Sequence, residues 1–318
     1  MKRLATILAP EDLGTAGTKV INIDTQDIVS RIVFRWRCTN VTVSLMLDAV
    51  MACITKVELV DGGEIIASLS GLELQAMNFY DRRVMPYNHL SLKVDEFFEA
   101  EFALDFGRWL YDQKYAFDPK RYKNPQLRIT WDEDACNTAA VVNQFAVYAH
   151  VDGAPGAAPV GFLLNKEIAQ YAMGASSHEY IDLPVDAPLR RVLLRAYTVD
   201  HDPVTLLTNV KVDCDNGRFV PWDIKSSDWH KLLGEYPSII EGLALDQAVT
   251  AKTLYVNISQ HPHIAVDYDG TAFVTAQSKF SAPTWTGAKC VLAASVDIKG
   301  MTALVRGQAP HNCLPLDF

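Results

Sequence analysis

The string His261-Pro262-His263-Ile264-Ala265-Val266-Asp267 sets two histidines and a carboxylate at even spacing. Residues two and four apart on a strand share a face. His261, His263 and Asp267 would therefore form the two-imidazole, one-carboxylate set that suits iron or manganese. The next histidine is His311, near the C-terminal end, and no second cluster follows. Asp132-Glu133-Asp134 gathers three carboxylates, a pattern that fits a solvated turn at a strand end better than a cation site. Asp105-Phe106-Gly107 spells a phosphoryl-transfer metal triplet, but no glycine-rich phosphate loop accompanies it. Gly-x-Ser-x-Gly is also absent, so no nucleophile elbow is expected. These residues build no complete catalytic centre; neither an enzyme nor a cofactor is expected.

The six cysteines, Cys38, Cys53, Cys136, Cys214, Cys290 and Cys313, show no CxxC or CxC spacing, which argues against a structural zinc site. Several stand in apolar, strand-like surroundings, and the expectation is buried free thiols in a reducing compartment. The 318 residues are 49% hydrophobic and 21% charged with a net charge of −9. That composition excludes bulk disorder and speaks against a nucleic-acid coat. Lys2-Arg3 is the only basic pair at a terminus, and no apolar run reaches the roughly 18 residues of a membrane-crossing helix.

Aromatic and basic residues crowd the region from 79 to 122. Tyr80 and Phe117 stand there beside Arg82, Arg83, Tyr87, Trp109, Tyr111, Tyr115, Arg121 and Tyr122. Arginine and aromatic enrichment marks protein–protein contacts, and the last eight are the candidates for subunit contact. Asp81, Asp105, Asp112 and Asp118 are interleaved, which weakens a polyanion site; no sequence-specific nucleic acid is expected.

The elements that must carry these residues repeat. Arg31-Ile32-Val33-Phe34-Arg35 has a counterpart in Arg191-Val192-Leu193-Leu194-Arg195, and Lys56-Val57-Glu58 before Asp61-Gly62 has one in Lys211-Val212-Asp213 before Asn216-Gly217. Ala103-Leu104-Asp105 is matched by Ala244-Leu245-Asp246, and Leu127-Arg128-Ile129-Thr130 by Leu254-Tyr255-Val256-Asn257. The order is kept while the spacing shortens, as expected of a duplicated unit whose second copy has shorter loops. Ile32, Phe34 and Trp36 alternate with Arg31, Val33, Arg35 and Arg37, the period of a strand with one buried face. Each hairpin is followed by a short helical pattern, over 71–80 and over 226–236. Further strands are expected over 101–106, 126–131 and 141–151, then over 253–259, 272–277 and 290–297. Short strands at regular spacing indicate antiparallel sandwiches. A Pro/Gly-rich stretch from Asp152 to Gly161 reads as a connector, and Phe162 to Met173 is expected to form an amphipathic helix.

Two resemblances complete the reading. The His261 string is similar to the first metal motif of cupins, with aspartate where those proteins expect glutamate. The paired units, with Phe102-Ala103-Leu104-Asp105-Phe106-Gly107-Arg108 followed by Asn124-Pro125-Gln126-Leu127-Arg128-Ile129, resemble the double jelly-roll major capsid proteins of icosahedral, membrane-containing bacteriophages. That resemblance implies an all-β chain of two tandem eight-stranded antiparallel jelly rolls with short helices in the loops. It divides the chain into an N-terminal arm (1–20), a first jelly roll (21–152), a linker with a short helix (153–178) and a second jelly roll (179–318). It implies a homotrimer tiling a virion shell with neighbouring capsomers, penton or spike proteins and minor capsid proteins, assembled in the host cytoplasm. The arm, through Lys2 and Arg3, would face the lipids of an internal membrane. The competing readings are a cupin-like metal enzyme on His261, His263 and Asp267 and a carbohydrate-binding two-sandwich protein.

Overall fold

The computed structural model describes the chain apart from residues 41–48, 92, 94–95, 137–139, 155, 157, 199–200, 248–251, 256–262, 269–283, 287–288 and 293–297. The expected strand over 272–277 and His261 lie outside the described residues. In the first half the strands are β1 (Lys2–Asp12), β2 (Ala16–Asn22), β3 (Ile28–Asn40), β4 (Ile54–Asp61), β5 (Glu64–Leu69), β6 (Asn88–Ser91), β7 (Phe97–Asp105), β8 (Pro125–Asp132) and β9 (Ala140–Asp152), with helix α1 (Gly71–Arg82) between β5 and β6. One sheet runs β1-β9-β3-β7 and the other β2-β8-β4-β5. The chain switches sheets at nearly every step, which is the winding of a jelly roll.

The alternation in β3 decides which face is dry. Ile32, Phe34 and Trp36 are fully buried, and Phe34 stacks on Phe102 at 4.9 Å and on Phe145 at 6.1 Å. Leu59, Leu127 and Ile129 of the opposite sheet belong to the same core. The other parity of β3 is charged and answered across the ladder: Arg31 pairs with Asp105 and Arg35 with Glu99. Ser70 caps α1 through a reciprocal capping box with Glu73.

The second half has β10 (Arg191–Arg195), α2 (Pro203–Leu206), β11 (Asn209–Cys214), β12 (Phe219–Lys225), α3 (Ser226–Leu232), β13 (Ile239–Gln247), β14 (Lys252–Tyr255), β15 (His263–Tyr268), β16 (Thr284–Thr286), β17 (Lys289–Leu292), β18 (Ile298–Gly307) and β19 (Cys313–Asp317). It repeats the order hairpin then helix. The turn of β11–β12 holds Asp215, Asn216 and Gly217 at φ of 54°, 53° and 86°, the left-handed backbone that such a hairpin needs. β3 pairs with β9, the last strand of its half, and β10 pairs with β19, the last strand of the chain. β13 lies parallel to β6, with Leu243 opposite Leu90, so β13-β18-β15 extend the first sheet to eight strands.

Three expectations are corrected. Residues 1–20 are not a free arm: they form β1, laid antiparallel on β9, and most of β2, laid on β8. Apolar positions such as Ile7 and Leu8 pack against the core, and this burial favours a paired strand over a loose end. No helix forms over 162–173. The backbone there is spent on neighbours instead: the Leu163 N–H donates to Phe106 O at 2.8 Å, the Glu167 N–H to Ser68 O at 2.9 Å, and the Ser68 N–H to Asn165 O at 3.2 Å. Phe162 docks edge-on against Phe106 and Phe117, a contact that holds the segment flat along the first sandwich. Finally, Cys53 and Cys136 are not free thiols but a disulfide, with Cα atoms 5.5 Å apart. The fold brings together two residues far apart in sequence, which spacing rules for short motifs do not detect.

Candidate assembly surface

The loop after β7 is built around a carboxylate. Asp112 accepts from Arg108 Nε at 2.7 Å and Nη2 at 3.1 Å, and from the Lys114 backbone N–H at 2.9 Å. The Arg108 hydrogen bond, with the backbone donors, holds the Asp112 carboxyl well below the usual carboxylate range despite its burial. Gly107 is required here because a Cβ would meet Tyr115 O at 2.7 Å and Asp112 Cβ at 2.8 Å. With the loop closed this way, the Arg108 guanidinium lies 4.2 Å over the Trp109 ring and 5.0 Å over Tyr115. Trp109 is 59% exposed and Leu110 36%. A tryptophan held out to solvent on a rigid loop has the character of an interface anchor.

Of the eight contact candidates, six lie in or beside this loop. Arg82 binds Asp105 through Nη2 at 2.7 Å and lines, with Trp109 and Leu110, a cleft of about 170 Å³. Tyr111 sits at φ 62°, donates its N–H to Ser30 Oγ at 2.6 Å and places its hydroxyl 3.3 Å from His150 Nδ1. Tyr115 lies under Arg108. Arg121 donates to Pro159 O at 2.6 Å, and Val160 donates to Lys114 O at 2.9 Å, so both ends of the loop meet one segment. Tyr122 stacks on the buried Phe117 at 4.9 Å and is itself only partly exposed. Arg83 and Tyr87 stand apart from them: Arg83 caps α1 at φ 57° and lies 5.6 Å over Tyr236, while Tyr87 is 57% exposed.

Not every aromatic of this region is on the surface. Tyr80 and Phe117 are core residues, at 3% and 0% exposure. Tyr80 is drawn inward because the second half covers α1: its hydroxyl donates to Cys313 O at 2.7 Å. Lys2 and Arg3 are engaged as well. Lys2 Nζ lies 4.7 Å over the Tyr111 ring, and Arg3 binds Asp27 at 2.7 Å. Asp132 and Asp134 are exposed, but Glu133, expected in a solvated turn, is buried in a short helical turn after β8. Asp105 is taken up by Arg31, Arg82 and Asn78, which makes the triplet it belongs to structural. His263 and Asp267 fall in β15, whose register against β18 slips between Val266 and Tyr268. No group of three metal-ligating side chains is found among the described residues, and no helix among them is long and apolar enough to cross a membrane.

No family model and no curated protein matches the chain. Solved structures do. The crystal structure of the STIV MCP, a viral major capsid protein, superposes with a TM-score of 0.53 at 11% identity, covering 99% of this chain and 96% of that one. The chain has the double jelly-roll fold. Weaker likenesses are to the atomic structure of Sulfolobus Turreted Icosahedral Virus, with TM-score 0.38, 8% identity and coverage of 99% and 90%, and to the major capsid protein of bacteriophage PM2, with TM-score 0.33, 8% identity and coverage of 96% of each chain.

What sequence reasoning missed in this double jelly roll is the seam between its halves. Asp81 of α1 binds Arg190 and Arg191 at 2.7 Å each. Arg191 also binds Asp317, which accepts from the Tyr236 hydroxyl at 2.6 Å. Burial raises Tyr236, helped by Asp317, to about 12. Burial works against ionised Asp317, yet the Arg191 and Tyr236 bonds keep it below its ordinary value. Deeper in, His311 and Gln75 meet at 2.7 Å, Gln75 donates to Asn88 Oδ1 at 2.7 Å, and Asn88 donates to Glu241 Oε1 at 2.7 Å. Burial, with Arg195 nearby, lowers His311 to about 3; neutral His311 therefore donates from Nε2 to Gln75 Oε1. Ala309, His311 and Asn312 all have φ between 50° and 61°, a strained corner maintained by its surroundings. The available sequence signal was the polar pair His311-Asn312 set directly before the apolar run Cys313-Leu314-Pro315-Leu316.

Proposed function

We propose that this chain is the major capsid protein of a membrane-containing icosahedral virus and has no catalytic role. The observation that carries the reading is a shared fold end to end with a viral major capsid protein, at TM-score 0.53 over 99% of the chain. Three copies form a pseudo-hexameric capsomer, and capsomers tile a shell over an internal membrane, in contact with penton or spike and minor capsid proteins, after assembly in the host cytoplasm. The physical logic supports this: two similar sandwiches per chain, taken three times, give a tile with six near-equivalent corners, and closed assemblies are built from symmetric repetition of such contacts. The Trp109 loop, with Arg82, Tyr111, Tyr115, Arg121 and Tyr122, is assigned to contacts between subunits, as are Arg83 and Tyr87. The two functional units are the first jelly roll, ending at Asp152, and the second, beginning at 179. For Lys2 and Arg3 to reach the internal membrane they must leave their present partners on the first sandwich, Tyr111 and Asp27. Sedimentation of the purified chain, with electron microscopy of what it forms, tests the reading: trimers and flat or curved tiles are expected, and a chain that stays monomeric at every concentration overturns it.

A further inference from the structure

The stretch that runs from the end of the linker into the start of the second half is almost wholly exposed. From Gly174 to Leu189 the chain forms neither helix nor strand, and nearly every residue is exposed. Its hydrogen bonds among the described residues are local: Ser177 Oγ to Gly174 O at 3.3 Å and to Glu179 Oε1 at 2.7 Å. Yet it is not a polar tether. Tyr180 is 93% exposed, Val185 98% and Ile181 47%. Flexible linkers are made of Gly, Ser and charged residues; large apolar side chains left bare on one stretch mark a binding surface. The segment carries Glu179, Asp182 and Asp186 and no lysine or arginine.

The Trp109 loop has the opposite sign and the same apolar character. Between Arg108 and Lys123 there are five cations and two carboxylates, and the two carboxylates are engaged locally, Asp112 by Arg108 and Asp118 by Arg121. Lys114, Lys120 and Lys123 are exposed and form no ion pair among the described residues. An acidic, aromatic strap and a basic, aromatic platform on one molecule, joined by no ion pair among the described residues, are complementary surfaces of a head-to-tail association.

We propose that residues 174–189 of one copy seat on the Trp109 loop of a second copy, with Tyr180, Ile181 and Val185 against Trp109 and Leu110, and the strap carboxylates facing Lys114 and Lys120. This inference rests on the shell reading above and names the pieces that hold adjacent subunits together. Because strap and platform differ, the contact is heterologous, and a rotation that closes it gives a ring such as a trimer.

The test uses the full chain. Asp182→Lys with Asp186→Lys reverses the strap, and Lys114→Glu with Lys120→Glu reverses the platform. All four positions are exposed, so folding, checked by thermal unfolding, is expected to be unchanged. Sedimentation equilibrium is expected to show association at least tenfold weaker for either variant alone, recovery when all four reversals are carried by one chain, and weakening of the wild type with added salt. Mixing Tyr180→Cys chains with Trp109→Cys chains under mild oxidation is expected to give a disulfide-linked pair that neither variant forms alone. If the wild type associates and both charge variants associate equally well, the strap contact is overturned while the shell reading stands. A wild type that never associates overturns both. A chain carrying both cysteines that closes within itself, when the mixture gives no linked pair, assigns the strap to its own copy and overturns the inference.

Discussion

The hairpins β4–β5 and β11–β12 hold the same place in their halves, each running strand, glycine turn, strand, helix, and they differ in what covers them. In β4–β5, Val57, Leu59, Ile66 and Ala67 are all buried in the core that the β1-β9-β3-β7 sheet closes. In β11–β12 no residue is fully buried, and Phe219 at its tip is 62% exposed. The helices follow suit. α1 spans 12 residues and buries Leu72, Leu74, Phe79 and Tyr80, whereas α3 spans 7 and fixes itself mainly through buried Trp229, whose indole donates to Pro315 O at 3.1 Å. A strand pattern therefore fixes where a hairpin forms but not how much stability it contributes, since that scales with the apolar area taken from water.

The largest test of this contrast compares two phenylalanines. Phe34→Ala empties a site between Phe102 and Phe145 and is expected to lower unfolding stability by about 3–5 kcal/mol, while Phe219→Ala stays within about 0.5 kcal/mol. Urea unfolding of both variants decides; a large loss at Phe219 would mean that the second hairpin is covered in solution and the contrast is wrong.

Next comes the disulfide, which staples only the first half. Cys53 and Cys136 close a loop with a sequence separation of 83, and Cys53→Ser with Cys136→Ser is expected to cost about 2–4 kcal/mol. The same loss should follow on adding reductant to the wild type, and an unfolding midpoint indifferent to reductant would argue that the bond contributes nothing to the first sandwich.

The smallest effect at neutral pH lies at the seam. His311 titrates at about 3 in the folded chain, against about 6.5 when unfolded, so the unfolded chain takes up the proton first. Stability is then intact above pH about 6.5 and declines as pH falls toward 3. His311→Gln removes that proton and is expected to flatten this part of the pH–stability profile. A variant profile parallel to the wild type would assign the acid sensitivity to other groups.

Much of the architecture was legible beforehand, and the reasons are local. Ile32, Phe34 and Trp36 alternate with arginines, and that period has one solution on a half-buried strand. The Asp61-Gly62 and Asn216-Gly217 turns mark their hairpins because few residues accept the backbone they need. Ser70 with Glu73 announces the start of α1. Exposure of the aromatic residues over 79–122 was half legible: Trp109 and Tyr87 are exposed, but Tyr80 and Phe117 are buried. Aromatic residues serve cores and surfaces alike, so their type alone does not say which.

From the order of residues alone came the strand alternation, the turns, the helix starts and the tandem repetition, all of which are set by neighbours a few positions apart. Only the tertiary structure decided that the first twenty residues belong to the sheets, that Cys53 meets Cys136, that 162–173 lies flat instead of coiling, and that Asp81, Arg191 and Asp317 lock the two halves. Each of these joins groups tens to hundreds of positions apart in the chain, where the outcome depends on which surfaces become buried together, and no local pattern encodes that.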